Sequence, residues 1–486
     1  MIVEFLEKRC LLSATLSGGV LAITGTFEGD FITVRSINQL ISVNQDGKVS
    51  MFPRAAIESF NVQLRGGNDD FSALNIGIKM TINAGKGDDL VVAGTLNDTI
   101  YSGSGTDKLW GAQGNDLFIT DAGTTRSEGG DGDDTLRGGS GADLFYGGKG
   151  TDTADYSSYA SGVTVKLDTQ ANDGAAGERD NIALDVEHVV GTLYNDSISG
   201  GSGPISIEGG AGDDTLVAGF GDSTLDGGDG NDSLTGRSGN DTLRGGEGDD
   251  TLDGGTGDDQ FYGGNGNDTL SYAQRHENLT LRISGTAESG AAGEKDLIST
   301  DIEVLYAGSG NDLMVGSDAP ETFFGNDGND TIDGGWGNDT LWGGAGIDTG
   351  DYSSRTMYQQ LRIEEGSGIP GEQDIPHNDI EVLLGGAGND WIQGGDANNL
   401  LVGNGGNDTI IGMGGDDTLV GGSGADMLGH DPKEGGPNAA DGDAGNDVIY
   451  TFDMTGDNDG MPDRISETIG TNILHYSLTD PDVLLT

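Results

Sequence analysis

From Ala84 onward, apolar residues return along the chain with a period of nine. Cutting there gives AGKGDDLVV, AGTLNDTIY, SGSGTDKLW, GAQGNDLFI and so on, with Val91, Ile100, Leu109 and Phe118 in the eighth place. Side chains alternate along an extended backbone, so a three-residue strand buries its central side chain and turns the flanking two outward. Glycines at the first, second and often the fourth place supply the positive φ that a tight turn needs. Each nonapeptide therefore reads as a turn followed by a very short strand. The frame runs unbroken over 84–155, 191–271, 307–351 and 385–429, and one out-of-phase copy, GDAGNDVIY, covers 442–450, for 28 frames in all. Only Ser127 and Gly350 break the apolar column, counting Ala154 as apolar. Two nonapeptides make an 18-residue coil with a strand on each side. The expected fold is all-β, a parallel β-roll or solenoid with a thin apolar core between two parallel sheets. Each coil must bury its face against its neighbours.

A second column runs in phase with the first. The sixth place is Asp in 23 of 28 frames, the exceptions being Thr125, Ile205, Ser223, Glu321 and Asn399. A flexible glycine–aspartate linker has no reason to hold an apolar residue two places after an acid, and no Gly-Lys-Ser/Thr follows these turns to mark a phosphate loop. Composition sharpens the question. The 486 residues carry 82 acidic and 23 basic side chains, a net charge of −59, with 91 glycines and only 33% hydrophobic residues. Such a chain cannot order itself by burial alone. Its field repels phosphates, which excludes nucleic acid as a partner, and attracts cations. The single cysteine, Cys10, rules out an internal disulfide framework.

The nonapeptide resembles G-G-x-G-x-D-x-U-x of the repeats-in-toxin family, the haemolysin-type calcium-binding repeat, over residues 84–450 apart from three interruptions. The resemblance implies a β-roll with multiple Ca²⁺ ions between successive turns, held by turn carbonyls and sixth-place aspartates. Carried over residue by residue, the implied ligands are Asp89, Asp98, Asp107, Asp116, Asp134, Asp143 and Asp152 in the first run and Asp196, Asp214, Asp232, Asp241, Asp250, Asp259 and Asp268 in the second. Asp312, Asp330, Asp339 and Asp348 follow in the third, then Asp390, Asp408, Asp417 and Asp426 in the fourth, and Asp447 in the last copy. Calcium takes six to eight oxygen ligands, so stacked carboxylates and exposed carbonyls suit it. With 18 residues per coil, alternate frames fall on opposite edges. The second run should then have one complete row, Asp196 to Asp268, and one row weakened by Ile205 and Ser223.

The interruptions, 156–190, 272–306 and 352–384, are copies of one unit. They open on Tyr156, Tyr272 and Tyr352, contain GERD, GEKD or GEQD, and end DVEHVV, DIEVLY or DIEVLL. Lengths of 35, 35 and 33 residues suggest wider, calcium-poor coils of about two turns each. Glu178 with Asp180, Glu294 with Asp296 and Glu372 with Asp374 could be read as catalytic carboxylate pairs, but three internal copies favour a structural role. Residues 20–83 read as a β-rich N-terminal cap in which GTFEGDFIT (25–33) and LRGGNDDFS (64–72) look like decayed nonapeptides. Residues 1–19 read as a targeting-like N-terminus: LEKRCLLSA (6–14) resembles the Leu-Glu-Pro-Arg-x-Leu-Leu-Ser-Ala motif of some large exported bacterial repeat proteins, with Lys8 in place of the proline. The remaining segments are calcium rolls at 84–155, 191–271, 307–351 and 385–450 and a C-terminal segment at 451–486. The last holds DNDGMPD (457–463), which resembles a calcium loop, and TDPDVLLT, which is similar to a type I secretion signal.

No catalytic constellation emerges. His276-Glu277 begins like a zinc-protease motif, but Thr280 stands where the second histidine belongs. There is no G-x-S-x-G elbow, and no apolar run reaches the length of a membrane span. The reading is a non-enzymatic, secreted calcium-binding repeat protein that folds on extracellular calcium, with a structural, surface or adhesion role. Its partners are calcium ions and, as a candidate, cell-surface or matrix polysaccharide. The alternative is a polysaccharide-acting enzyme that works on the solenoid face.

Overall fold

A computed structural model describes residues 13–364 and 373–429, together with the backbone of short strands at 439–441, 444–445, 448–451, 464–466, 473–476 and 484–485. The chain divides into two compact units, Met1–Gly248 and Asp249–Thr486. Both are built from parallel strands, most of them three residues long, with buried centres and half-exposed flanks. Among the described residues the only helical turn is the 3₁₀ segment Arg54–Ala56. The fold is the expected β-solenoid.

In the first unit, Thr99–Ser104, Leu117–Ile119 and Thr135–Arg137 pair in parallel, with Ile100, Phe118 and Leu136 in register. The facing sheet sets Val91, Leu109, Ser127 and Phe145 in register. Each step is 18 residues, so one coil supplies one strand to each sheet. The core between them is thin: Phe118 from one sheet meets Phe145 from the other, with ring centroids 6.3 Å apart. The second unit repeats the arrangement. Leu252, Leu270, Leu305, Phe323 and Leu341 form one inward column, and Met314, Ile332, Gly350, Leu383 and Leu401 form another.

The N-terminal end is closed by antiparallel strands. Ser13–Ser17 and Val20–Thr24 form a hairpin. Phe31–Ile37, Leu40–Gln45 and Lys48–Pro53 form a meander. Its turns rest on residues able to take positive φ, Asn38 (58°), Asp46 (48°) and Gly47 (84°). The meander joins the roll through Phe31–Ile37, which pairs in parallel with Asp70–Ser72.

The interruptions depart from the two-turn expectation. Thr153–Asp155 pairs directly with His188–Val190, so one sheet passes the insertion without a gap. On the facing side Asn181–Ile182 stacks on Leu144–Lys149, while Val163–Lys166 stacks under Ser197–Ser199. The 35 residues therefore make a single wide coil with one extra strand, folded back as an antiparallel hairpin of Val163–Lys166 with Gly174–Ala175. The second interruption does the same: Leu270 registers with Leu305, Phe261 with Ile298, and Leu281 with Met314.

Because each coil touches only its neighbours, a core truncation should act locally. Phe118→Ala is expected to cost about 3–5 kcal/mol. In urea unfolding followed by hydrogen exchange, the loss should be largest in strands 99–104 and 135–137 and small in the second unit.

Candidate metal centre

The sixth-place aspartates stand one above another. The backbone N–H of each donates to Oδ1 of the aspartate one coil later: Asp98 to Asp116 and Asp116 to Asp134 at 2.7 Å, and Asp134 to Asp152 at 2.8 Å. The ladder recurs from Asp196 to Asp214 to Asp232, from Asp312 to Asp330 to Asp348, and from Asp390 to Asp408 to Asp426. All the sequence-predicted residues from Asp89 to Asp426 are buried. Asp447 and the 457–463 motif lie outside the described residues, as do residues 6–12 of the 6–14 motif.

The two oxygens of each carboxylate differ in their fate. Where an aspartate opens a row, its own turn satisfies Oδ2: Gly94 N–H donates to Asp98 at 2.9 Å, Thr192 to Asp196 at 2.6 Å, Gly308 to Asp312 at 3.0 Å and Gly386 to Asp390 at 2.8 Å. On later rungs Oδ2 of Asp116, Asp134, Asp152, Asp214, Asp330, Asp348 and Asp408 is buried with no hydrogen-bond partner. A buried anionic oxygen without a donor is costly. Burial, reinforced by the aspartates above and below, pushes the Asp116 carboxyl up to about 8. Burial likewise raises Asp134, Asp214, Asp330 and Asp408 to about 7.

The glycines follow from the same geometry. A Cβ on Gly129 would lie 2.1 Å from Oδ2 of Asp134, so this first place must stay bare. A Cβ on Gly148, at φ +114°, would lie 2.3 Å from the Gly130 carbonyl oxygen. At such glycines the turn backbones stack too closely for a side chain and bring their carbonyls near the carboxylates. Hard oxygen donors, orphaned negative charge and no bulky neighbour fit a divalent cation such as calcium. Among the described residues no three His, Cys, Asp or Glu side chains cluster as a metal site. A cation held here would take one carboxylate from each rung and its other donors from main-chain oxygens.

The weakened row is present: Ile205 N–H donates to Ser223 Oγ at 3.3 Å, and Ser223 N–H to Asp241 at 2.7 Å. The ladder also extends beyond the sequence-predicted residues. Asp30 N–H donates to Asp69 (2.7 Å) and Asp69 to Asp89 (2.8 Å), so the two decayed nonapeptides are working rungs. Inside the interruptions, Asp180, Asp296 and Asp374 receive the N–H groups of Asp143, Asp259 and Asp339. Glu187, Glu303 and Glu381 receive those of Asp152, Asp268 and Asp348. The acidic residues weighed as catalytic partners thus include three ladder rungs. The signal was in the sequence: each acid sits two places before an inward residue, as with Asp180 and Ile182 or Glu187 and Val189. Ile205, Glu321 and Asn399, three of the five departures from Asp, each fall one 18-residue coil after one of those glutamates.

The family profile described as RTX calcium-binding nonapeptide repeat (4 copies) matches residues 83–118, 119–154, 185–203, 208–243, 235–270, 299–319, 315–349, 378–410 and 393–428, more than half of the chain. No curated protein matches the chain.

The raised carboxyl pKa values fix a pH response for the calcium-stripped protein. A group whose folded pKa lies above its ordinary value near 4 stabilises the fold fully below that value. It loses that contribution as pH rises through the folded pKa, here about 6 to 8. Stripped protein should therefore gain β circular dichroism on going from pH 8 to pH 4. No gain, or a loss, would contradict the buried-carboxylate geometry.

Proposed function

Starting from a chain that belongs to the RTX calcium-binding nonapeptide repeat family, and is therefore a calcium-binding repeat protein, we propose that it is exported unfolded and folds on meeting extracellular calcium. The carrying observation is the contrast between row-opening aspartates, whose oxygens are both satisfied, and inner ones with an orphaned Oδ2. On this reading Asp116, Asp134, Asp152, Asp214, Asp330, Asp348, Asp408 and their equivalents hold calcium together with turn carbonyls. The bound ion supplies positive charge to the row. The chain contributes the stacked turns, the bare glycine places and the N–H ladder that fixes each carboxylate. In a low-calcium cytosol the charge of −59 keeps the coils apart. At about millimolar calcium, within reach of extracellular-type sites, binding free energy becomes folding free energy.

The folded protein acts outside the cell in a structural, surface or adhesion role, with polysaccharide as a candidate partner. The absence of a catalytic constellation in the sequence supports a non-enzymatic role, as does an acidic roll whose buried charges are used in stacking. A polysaccharide-acting enzyme gains little from the aromatic residues. Tyr306, Phe324, Trp342 and His377 line up on one sheet, but their rings stack on one another, with centroids 4.3, 6.1 and 3.3 Å apart and planes within 14°. Faces spent on each other offer no flat platform for a sugar ring.

Circular dichroism during a calcium titration from chelator to about 10 mM, above the range of extracellular sites, tests the proposal, with magnesium as control. A cooperative gain of β signal with calcium alone is expected. A chain already folded in chelator and indifferent to calcium would overturn it. Asp214→Asn with Asp232→Asn should shift the calcium midpoint upward by about threefold or more, since ligand charge sets affinity, while leaving the acid-induced signal of the stripped protein in place.

A further inference from the structure

The two buried arginines of the interruptions occupy a repeated position. In regular turns the second-place carbonyl accepts an N–H from the turn one coil on: Ala211 donates to Thr192 O at 3.2 Å, Ala345 to Asn326 O at 2.6 Å and Ser423 to Asn404 O at 2.8 Å. Where an interruption follows, that turn is missing and a side chain takes over. Gly139 O receives the Tyr159 hydroxyl at 2.7 Å, Gly255 O receives Arg275 Nη1 at 2.5 Å, and Gly335 O receives Arg355 Nη2. All three are the fourth residue of their interruption.

The arginines carry more than a hydrogen bond. Arg275 is 8% exposed and its Nη2 lies 2.8 Å from Glu294 Oε2 and 3.1 Å from Glu277 Oε1. Arg355 is 6% exposed, lies 3.8 Å from Asp333, and is 5.0 Å from the Trp336 ring centre. A guanidinium keeps its charge in any such setting and is tolerated when buried only if paired. Beside it the row-ending carboxylate is completed by the protein itself: the Tyr272 hydroxyl donates to Asp296 Oδ2 at 2.8 Å, an oxygen that inner rungs leave without a donor.

We infer that Arg275 and Arg355 are built-in cations that take the place of a metal ion where a carboxylate row ends, so that the second and third interruptions are metal-independent clamps within an otherwise calcium-dependent roll. The inference rests on the calcium-driven folding proposed above. It makes the interruptions starting points for assembly, because coils closed by a fixed charge hold together first and metal-dependent coils build outward from them. The first interruption, with neutral Tyr159 in the arginine's place, lacks this charge.

Hydrogen exchange on the full-length chain tests it, in chelator and along a calcium titration, for wild type, Arg275→Gln/Arg355→Gln and Arg275→Lys/Arg355→Lys. In chelator, amides of Thr280–Arg282, Asp296–Ile298 and Gln360–Arg362 should exchange more slowly than those of Thr224–Asp229 in the uninterrupted repeats. The Gln pair should speed the clamp amides by about tenfold or more, the scale of a lost local opening barrier, and raise the calcium midpoint. The Lys pair, keeping the charge, should restore part of both. Clamp amides as fast as repeat amides in chelator, or unchanged by the Gln pair, would overturn the inference. Protection of the whole chain in chelator would instead overturn calcium-driven folding. The comparison of Gln with Lys at the clamp amides then still decides the role of the arginines, because a purely steric role would not distinguish charge.

Discussion

Everything in this fold depends on stacking like charges at one-coil spacing. Parallel pairing with a constant step of 18 residues forces equivalent side chains into columns, for better in the apolar column and for worse in the acidic one. The backbone ladder fixes one oxygen of each carboxylate and leaves the second buried, so the repulsion is organised rather than relieved. Against several such rows stands an apolar core one side chain thick. On the proposed reading, the same regularity that makes the fold simple leaves added positive charge to complete it.

The interruptions are best understood against that constraint. A continuous stack multiplies identical carboxylates without limit. Each interruption lets one row run on through Glu187, Glu303 or Glu381, ends another at Asp180, Asp296 or Asp374, and starts a third whose first rung is apolar or neutral: Val163, Leu279 or Gln359. The coil after each glutamate then drops its aspartate, at Ile205, Glu321 and Asn399. Departures from the repeat that look like decay in the sequence are thus tied to the architecture. Charge is thinned in this way at Ile205 and Asn399, while Glu321 keeps a carboxylate in the row.

Much of this was legible beforehand. The phase between the sixth and eighth columns gave the strand, the turn, the coil length and the edges, because period two along a strand and glycine at positive φ are local rules. The weakened row at Ile205 and Ser223 followed from counting alone. The interruptions did not yield to counting. Their rungs at Asp180 and Glu187 are seven residues apart rather than nine, and a hairpin of Val163–Lys166 with Gly174–Ala175 precedes both. Only tertiary pairing shows that Ala154 meets Val189. The satisfied or orphaned state of Oδ2 was also out of reach, since it turns on whether the turn's own N–H faces the carboxylate.

The antiparallel meander at the N-terminal end carries a consequence for self-association. A stack of parallel strands presents at its end a row of unpaired backbone groups, an edge another chain can extend. Here the outermost strand of one sheet, Lys48–Pro53, runs opposite to its neighbour, begins with a lysine and ends with a proline that has no N–H to give. Two reversals, from Phe31–Ile37 to Leu40–Gln45 and on to Lys48–Pro53, return this strand to the direction of the roll strands, so what meets an arriving second copy is the charge of Lys48 and, at Pro53, a position with no donor. The edge is thereby blunted by residue type rather than by direction, with a charge at one end of the strand and a missing hydrogen-bond donor at the other.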